Sequence, residues 1–170
     1  AVIPIKKVYI WGRNKLKANT ICEQLKNEDF EIKSVPDIDK IVGEVHIVSV
    51  ATLSKTPLIK GKFLQKDQHI DLVGAFKKDM READDETIKR SQVYVDTYGG
   101  MKESGDIFIP MQNGTLSENG IIADLPELCK KVKKGRNNDK EITLFKSVGH
   151  ALEDLVAAKY YFDQFIKNKS

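Results

Sequence analysis

The sequence predicts an α/β fold built on a mainly parallel sheet with helices on both faces. Short apolar segments rich in β-branched and aromatic residues recur along the chain, and stretches of helical spacing separate them. This alternation is typical of βαβ units. Most of the apolar segments lack the polar alternation of an exposed strand, so we expect the sheet to be covered on both sides. With 170 residues, of which 41% are hydrophobic, the chain can bury one core.

Six segments have the composition of strands. They are 7–11, 31–35, 45–50, 69–73, 93–96 and 142–145. The segment 107–120 contains glycines, a proline and asparagines, and it is expected to be a loop.

Polar residues predict where the helices begin. The expected caps are Asn14, Asp37, Asp84 or Asp85, and Asp124, which forms a capping box with Glu127 around Pro126. The first helix should run to about residue 26, and the second should end before Gly43. The longest helix is expected after Ser147, with apolar residues at helical spacing. These residues are Leu152, Leu155, Val156, Phe162, Phe165 and Ile166.

Composition argues against several classes of protein. The net charge of +3 is dispersed, and the basic run 130–136 has no interleaved aromatic residues, so nucleic acid is not expected as a partner. The apolar runs are far too short to cross a membrane, and no secretory signal opens the chain, so a cytoplasmic location is expected.

Cysteine and histidine spacing predicts no metal site. Cys22 and Cys129 both fall in predicted helices without a close ligand partner, so we interpret them as reduced thiols. His46, His69 and His150 are far apart and are assigned no chemistry.

A glycine-rich phosphate turn is absent from the sequence. Dinucleotide-binding domains usually open with a strand and a G-x-G-x-x-G turn, whereas this chain begins directly with an apolar strand. The pattern predicts a Rossmann-like sheet lacking its first strand and that turn. A complete flavodoxin-like fold, which never had the turn, is the alternative.

Three strand ends have the character of ligand contacts, because ligands of open α/β sheets bind at the carboxyl ends of strands. Gly12, Arg13 and Asn14 follow the first predicted strand. An arginine here suits a 2′-phosphate, although a solvated side chain is the alternative. The third and fourth predicted strands end in small residues, which let a flat ring approach the backbone. These residues are Ala51 and Thr52, then Val73, Gly74 and Ala75.

Five segments, in order over nearly the whole chain, carry a more specific pattern. They are 8–14 (VYIWGRN), 69–75 (HIDLVGA) with 79–85 (DMREADD), 93–96 (VYVD), 103–106 (ESGD) and 141–154 (EITLFKSVGHALED). Together they resemble the ornithine cyclodeaminase and mu-crystallin family. The resemblance implies an NAD(P)-binding domain.

The resemblance also implies which residues contact the cofactor. Gly12, Arg13 and Asn14 are implied at the adenosine end. Because the turn has no acidic residue, Arg13 favours NADP over NAD. The residues implied near the nicotinamide are Ala51, Thr52, Val73, Gly74, Ala75, Ser147 and Val148. Ser147 is expected at a helix N-terminus, where its hydroxyl and free amides can hold a carboxamide; its alternative role is the cap of that helix.

One departure from the family pattern leaves the catalytic residues unknown. Ornithine cyclodeaminases place an aspartate base directly after this strand end, where Phe76 stands here, and an aromatic ring cannot transfer a proton. Asp79 is a displaced candidate base, although an aspartate in such a turn is more often a cap or an ion-pair partner. The resemblance is therefore nearer to the mu-crystallin and alanine dehydrogenase branch.

The resemblance implies a parent enzyme that moves a hydride between NAD(P) and a small amino or imino acid, as an oxidoreductase or a deaminating lyase. In the family, substrate residues and most of the dimer surface lie in an N-terminal half. We therefore expect residues 1–170 to be a truncated NAD(P)-binding portion, inactive alone, with 149–170 leading back toward that half. The apolar last helix favours a homo-oligomer. A non-enzymatic mu-crystallin-like binding protein and a split-gene remnant are the alternatives.

Overall fold

The computed structural model describes residues 3–168 and shows two compact units, which divide between Glu44 and Val45. The first is a βαβ unit. Strands β1 (Lys7–Ile10) and β2 (Glu31–Ser34) pair in parallel, with helix α1 (Lys15–Gln24) between them. Helix α2 (Ile38–Ile41) and a 3-10 turn (Val42–Glu44) follow.

The second unit contains a five-stranded sheet in the order β3-β4-β7-β5-β6, and every pairing is parallel. The strands are β3 (Ile47–Val50), β4 (His69–Leu72), β5 (Ser91–Val95), β6 (Ile121–Asp124) and β7 (Ile142–Lys146). The helices are α3 (Asp85–Arg90), α4 (Gly105–Gln112), α5 (Leu125–Cys129) and α6 (Ala151–Lys167). Short 3-10 turns lie at Gly61–Phe63, Met101–Glu103 and Glu118–Gly120.

The core of the second unit is built on this sheet. Its central strands contribute Ile70, Leu72, Val93 and Leu144, each almost completely buried. Burying these side chains removes apolar surface from water, which is the main favourable contribution to folding. The expected α/β fold with a parallel sheet and flanking helices is therefore confirmed, although the described strands form two sheets instead of one.

Most of the predicted caps are confirmed. The Asn14 side chain accepts a hydrogen bond from the Lys17 amide at 3.1 Å, and Asp84 caps α3. Asp124 and Glu127 form the expected capping box around Pro126. Such side chains satisfy amides that the helix itself leaves without partners.

Two predictions for the region 107–124 are wrong. Helix α4 occupies much of the expected loop, with Pro110 inside it. Proline removes one helical hydrogen bond, but Ile107 and Pro110 are both buried, so tertiary packing outweighs that local cost. Strand β6 was not expected, because four residues directly after Gly120 carry little periodicity; pairing with β5 stabilises it.

Among residues 3–168, no helix combines the length and the apolar character that crossing a membrane requires.

Candidate functional site

The site begins at the carboxyl edge of the five-stranded sheet. Val50 lies opposite Leu72, Leu72 opposite Lys146, and Lys146 opposite Val95. Because these strands are parallel neighbours, the residues that follow them lie side by side at one edge. Four short segments meet there, and most of the residues assigned to the nicotinamide lie in them. The segments are 51–52, 73–75, 96–97 and 147–148.

These residues differ in their accessibility. Ala51 is exposed, and Val73 exposes 47% of its surface. Thr52, Ser147 and Val148 are half-buried, whereas Gly74 and Ala75 are buried. The edge therefore offers a small exposed apolar surface at residues 51 and 73, next to residues 74 and 75, which are buried.

Gly74 is a steric requirement of this edge. A Cβ atom there would lie 2.0 Å from the Thr52 carbonyl oxygen and 2.3 Å from Glu82 Oε1. Ala75 follows with a φ of 47°, and its amide donates to the Thr52 carbonyl at 2.9 Å. The backbones at the ends of β3 and β4 are thus packed too closely for any side chain larger than hydrogen at position 74.

A cluster of buried charged residues holds these strand ends from behind. Glu82 Oε1 accepts hydrogen bonds from the Thr52 amide at 2.5 Å and from its hydroxyl at 2.8 Å. Asp106 Oδ1 accepts from the amide of Glu82 at 2.7 Å. The Lys146 ammonium lies 3.5 Å from Asp106 Oδ2 and donates to the Gly74 carbonyl.

Burial shifts the pKa values of the charged groups in this cluster. It raises the pKa of Glu82 and the pKa of Asp106, and it lowers the pKa of Lys146, because a low-dielectric interior disfavours charge. Glu82 Oε2 is buried and accepts no hydrogen bond from the described residues. The raised pKa of Glu82 fits this environment, because a single ammonium cannot compensate two buried carboxylates.

A third buried carboxylate, that of Asp96, organises the turn after β7. Its Oδ2 accepts from the amides of Val148 at 2.7 Å and Gly149 at 2.9 Å, and its Oδ1 accepts from the Thr97 amide at 2.7 Å. A buried carboxylate is stable when backbone amides satisfy its oxygens. Asp96 thereby links the end of β5 to the turn 147–149.

The expected position of Ser147 at a helix N-terminus is wrong. Ser147 follows β7 directly, and its amide continues the sheet by donating to the Leu72 carbonyl at 3.0 Å. Gly149 then adopts a φ of +88°, and His150 caps α6 by accepting from the Leu152 amide at 3.2 Å. The left-handed Gly149 separates the strand end from the helix, so neither the helix dipole nor its free amides belong to Ser147.

In the first unit, the turn Gly12, Arg13 and Asn14 follows β1. Arg13 is exposed, and Asn14 is occupied as the cap of α1. A Cβ atom at Gly12 would have no neighbour nearer than the Asn14 carbonyl oxygen at 3.9 Å, so packing within this turn does not require glycine there.

The two residues considered for catalysis lie near the edge but do not form a base. Phe76 is 47% exposed. Asp79 is exposed and accepts from the Lys55 ammonium at 2.6 Å, and this hydrogen bond lowers its pKa. The interpretation of Asp79 as an ion-pair partner is confirmed.

Sequence reasoning did not identify the four buried charged residues of this edge. They are Glu82, Asp96, Asp106 and Lys146. A usable signal was present, because Lys146 ends the apolar strand ITLFK and Asp96 directly follows the apolar strand segment VYV. A charge in such a position is rarely buried without a partner.

Comparison with known proteins supports this picture. The chain is 40% identical over its full length to an uncharacterised protein of Schizosaccharomyces pombe, of which it covers 54%. It is 35% identical to a Delta(1)-pyrroline-2-carboxylate reductase of Paracoccus denitrificans, over 94% of the chain and 51% of that protein. The chain thus spans about half the length of these curated relatives.

Among solved structures, a Delta(1)-pyrroline-2-carboxylate reductase of Thermococcus litoralis, in complex with NADH and L-proline, superimposes with a TM-score of 0.92. The two are 38% identical over 96% of this chain and 51% of that one. The model of the ornithine cyclodeaminase/mu-crystallin family matches residues 1–169. With this match, the parallel Rossmann-like sheet and the small residues at its edge have one explanation: the chain belongs to the ornithine cyclodeaminase/mu-crystallin family.

Proposed function

We propose that the chain forms the nicotinamide-dinucleotide-binding portion of an enzyme that reduces a small imino acid by hydride transfer. The observation that carries the proposal is the meeting of segments 51–52, 73–75 and 147–148 at one carboxyl edge. The likeness to a reductase whose structure contains NADH and L-proline supports it. A cyclic imine with a carboxylate is the substrate class that this likeness favours.

The residues of the edge fit a nicotinamide ring. Ala51 and Val73 supply an exposed apolar surface for a flat ring, and the close backbone at Gly74 leaves that surface free of larger side chains. The half-buried Ser147 at the same edge carries a hydroxyl that suits the polar carboxamide, whereas the Thr52 hydroxyl donates to Glu82 Oε1. When bound, the reduced dinucleotide supplies the hydride, which the protein cannot supply itself.

Imine reduction also requires a proton on nitrogen, and the acids of this edge do not offer one directly. Glu82, Asp96 and Asp106 are buried and engaged in internal contacts, and Phe76 stands at the strand end. We therefore infer that the 170-residue chain binds the dinucleotide without turning over an imine. Phe76 also disfavours cyclodeamination through an aspartate at this position.

The choice between NADPH and NADH is proposed to depend on Arg13. The turn of Gly12, Arg13 and Asn14 has an exposed guanidinium and no carboxylate. A guanidinium suits a phosphate, whereas a carboxylate would suit two ribose hydroxyls. We propose that NADP(H) is preferred.

Fluorescence titration of the purified chain with NADH and NADPH tests the proposal. Saturable binding is expected, and no NADH oxidation is expected when Delta(1)-pyrroline-2-carboxylate is added. Ala51→Arg should abolish binding, because the new side chain covers the exposed edge. Ala158→Arg, on the exposed surface of α6, is the matched control. Full binding by the Ala51 variant would contradict the assignment of this edge.

A second candidate is a family member that binds ligands without catalysis. The burial of Glu82, Asp96 and Asp106, the ion pair of Asp79 with Lys55 and the presence of Phe76 favour it. A continuous assay on the complete gene product, with NADPH and Delta(1)-pyrroline-2-carboxylate, separates the two: turnover supports the reductase, and binding without turnover supports the second candidate.

We further propose that the chain is part of a homo-oligomer. Helix α6 has no buried residue in this structure, although apolar side chains are spread along it. A surface of this kind usually packs against another surface.

A further inference from the structure

We propose that Asp96 is a positioning residue for the nicotinamide end of the dinucleotide, acting through the turn 147–149. The proposal rests on the proposed function, because it assumes that this edge holds the nicotinamide. Asp96 itself is 1% exposed, so it does not offer a surface to a ligand. Ser147 and Val148, which it holds, are accessible.

All the donors that approach Asp96 come from backbone or hydroxyl groups. Oδ2 accepts hydrogen bonds from the amides of Val148 and Gly149, and the Ser147 hydroxyl oxygen lies 3.4 Å from it. Oδ1 receives the Thr97 amide. An ionised aspartate has two acceptor oxygens and no donor, so each of its oxygens can accept from the amides that approach it.

An asparagine cannot reproduce the arrangement. Its single oxygen can serve either the Thr97 amide or the pair of amides at 148 and 149, and its NH₂ group then faces a backbone donor on the other side. The substitution Asp96→Asn therefore preserves size but breaks either the hydrogen bonds from the turn to Asp96 or the local one from the Thr97 amide.

Gly100 restrains the same turn from a second direction. A Cβ atom on Gly100 would lie 2.6 Å from Val148 Cγ2, so the Val148 side chain packs directly against the glycine backbone. The Ser147 amide continues the sheet, whereas residues 148 and 149 belong to neither β7 nor α6, and their amides bond to Asp96 instead of to a neighbouring strand. Asp96 and Gly100 together supply the order that secondary structure does not.

The hydrogen bonds to Asp96 determine which polar groups of the turn 147–149 remain available to a ligand. The amides of residues 148 and 149 point at Asp96 and are unavailable to a ligand. The Ser147 hydroxyl also has its donor direction toward Asp96, which leaves its lone pairs as acceptors. An acceptor at this position recognises the NH₂ group of a carboxamide. Loss of Asp96 frees the amides and should weaken binding of the nicotinamide end alone.

Calorimetric titration with two ligands tests this. NADH contains the nicotinamide, whereas ADP-ribose lacks it, so the ratio of their dissociation constants reports on the nicotinamide end. We expect Asp96→Asn to weaken NADH binding roughly 10-fold or more, the effect of losing a charge-assisted hydrogen bond, and to leave ADP-ribose binding unchanged. A purely structural role would weaken both ligands together.

The matched control is Asp67→Asn. Asp67 pairs with Arg136 at 2.8 Å and precedes β4, so it lies at the opposite edge of the sheet. Its φ of 69° suits asparagine, and both ligands should bind this variant normally.

Gly100→Ala is a second variant in case Asp96→Asn does not fold. It displaces Val148 and leaves the Asp96 carboxylate in place, with the new Cβ atom at an ordinary contact distance of 3.8 Å from Asp96 Oδ1. It should weaken NADH binding but not ADP-ribose binding. If the wild-type chain prefers NADH over ADP-ribose and both variants keep that preference, the role of Asp96 is overturned while the proposed function stands. If the wild-type chain binds neither ligand, the proposed function fails, and the role of Asp96 fails with it.

Discussion

The Lys146 ammonium lies 3.5 Å from Asp106 Oδ2, and both side chains are completely buried. Lys146 ends β7, and Asp106 lies in the first turn of α4, so the pair joins the sheet to a helix on its covered face. Glu82 and Gly74 contact the same pair. Buried ions are tolerated when partners satisfy them, and removing one partner leaves the others uncompensated.

Lys146→Met should therefore destabilise the chain strongly. Asp106 would remain buried without its cation, at a cost of about 3–5 kcal/mol in the free energy of unfolding. Urea unfolding followed by circular dichroism measures the loss. Lys55→Met is the control, since the ion pair of Lys55 with Asp79 is exposed and screened by solvent, and its loss should change the stability little. Equal losses in the two variants would show that burial of the Lys146 pair has no special importance.

The raised pKa of Glu82 predicts a pH-dependent stability. The folded chain holds this proton more tightly than the unfolded chain, so the stabilisation is complete below the ordinary pKa of 4.5 and is lost as pH rises through the folded pKa. Glu82→Gln keeps an acceptor for Thr52 and cannot ionise. Its free energy of unfolding should fall less between about pH 5 and pH 8 than that of the wild type. Parallel curves for both proteins would contradict a protonated Glu82.

Arg13→Ala should change the choice of dinucleotide. Loss of a guanidinium–phosphate contact should weaken NADPH binding roughly 10-fold and leave NADH binding nearly unchanged. Fluorescence titration of both ligands measures the ratio. Lys26→Ala, just after the end of α1, is a control for the loss of one positive charge. A variant that retains its NADPH preference would remove the basis for assigning Arg13 to the 2′-phosphate.

Self-association should depend on α6. Leu155 and Phe162 lie seven residues apart on this helix and are each 64% exposed. The double variant Leu155→Ser with Phe162→Ser should sediment as a monomer, whereas the wild type should sediment faster as concentration rises. Leu16→Ser on α1 removes another exposed leucine and should leave the association intact. A monomeric wild type at all concentrations would refute the role of α6.

Local patterns in the sequence were sufficient for the α/β fold, for six of the seven strands found within residues 3–168 and for most helix starts. Strand composition and caps such as Asn14 and Asp124 act between residues that are close in the chain, so the sequence displays them directly. The resemblance to the family identified the strand-end segments as cofactor contacts. Because ligands of parallel sheets bind at the carboxyl ends of strands, these segments were expected at the ligand-binding edge.

Only the tertiary structure placed the buried charges. Lys146 and Gly74 are 72 residues apart, and Asp96 and Val148 are 52 residues apart. Their contacts follow from the strand order β3-β4-β7-β5, which no local periodicity encodes. The same reason explains α4, where burial outweighs the proline, and the cap of α6, where the left-handed Gly149 moves the helix start from Ser147 to His150. The segments of the edge could thus be predicted from the sequence. The buried side chains that stabilise it could not, because their contacts join segments that are far apart in the chain.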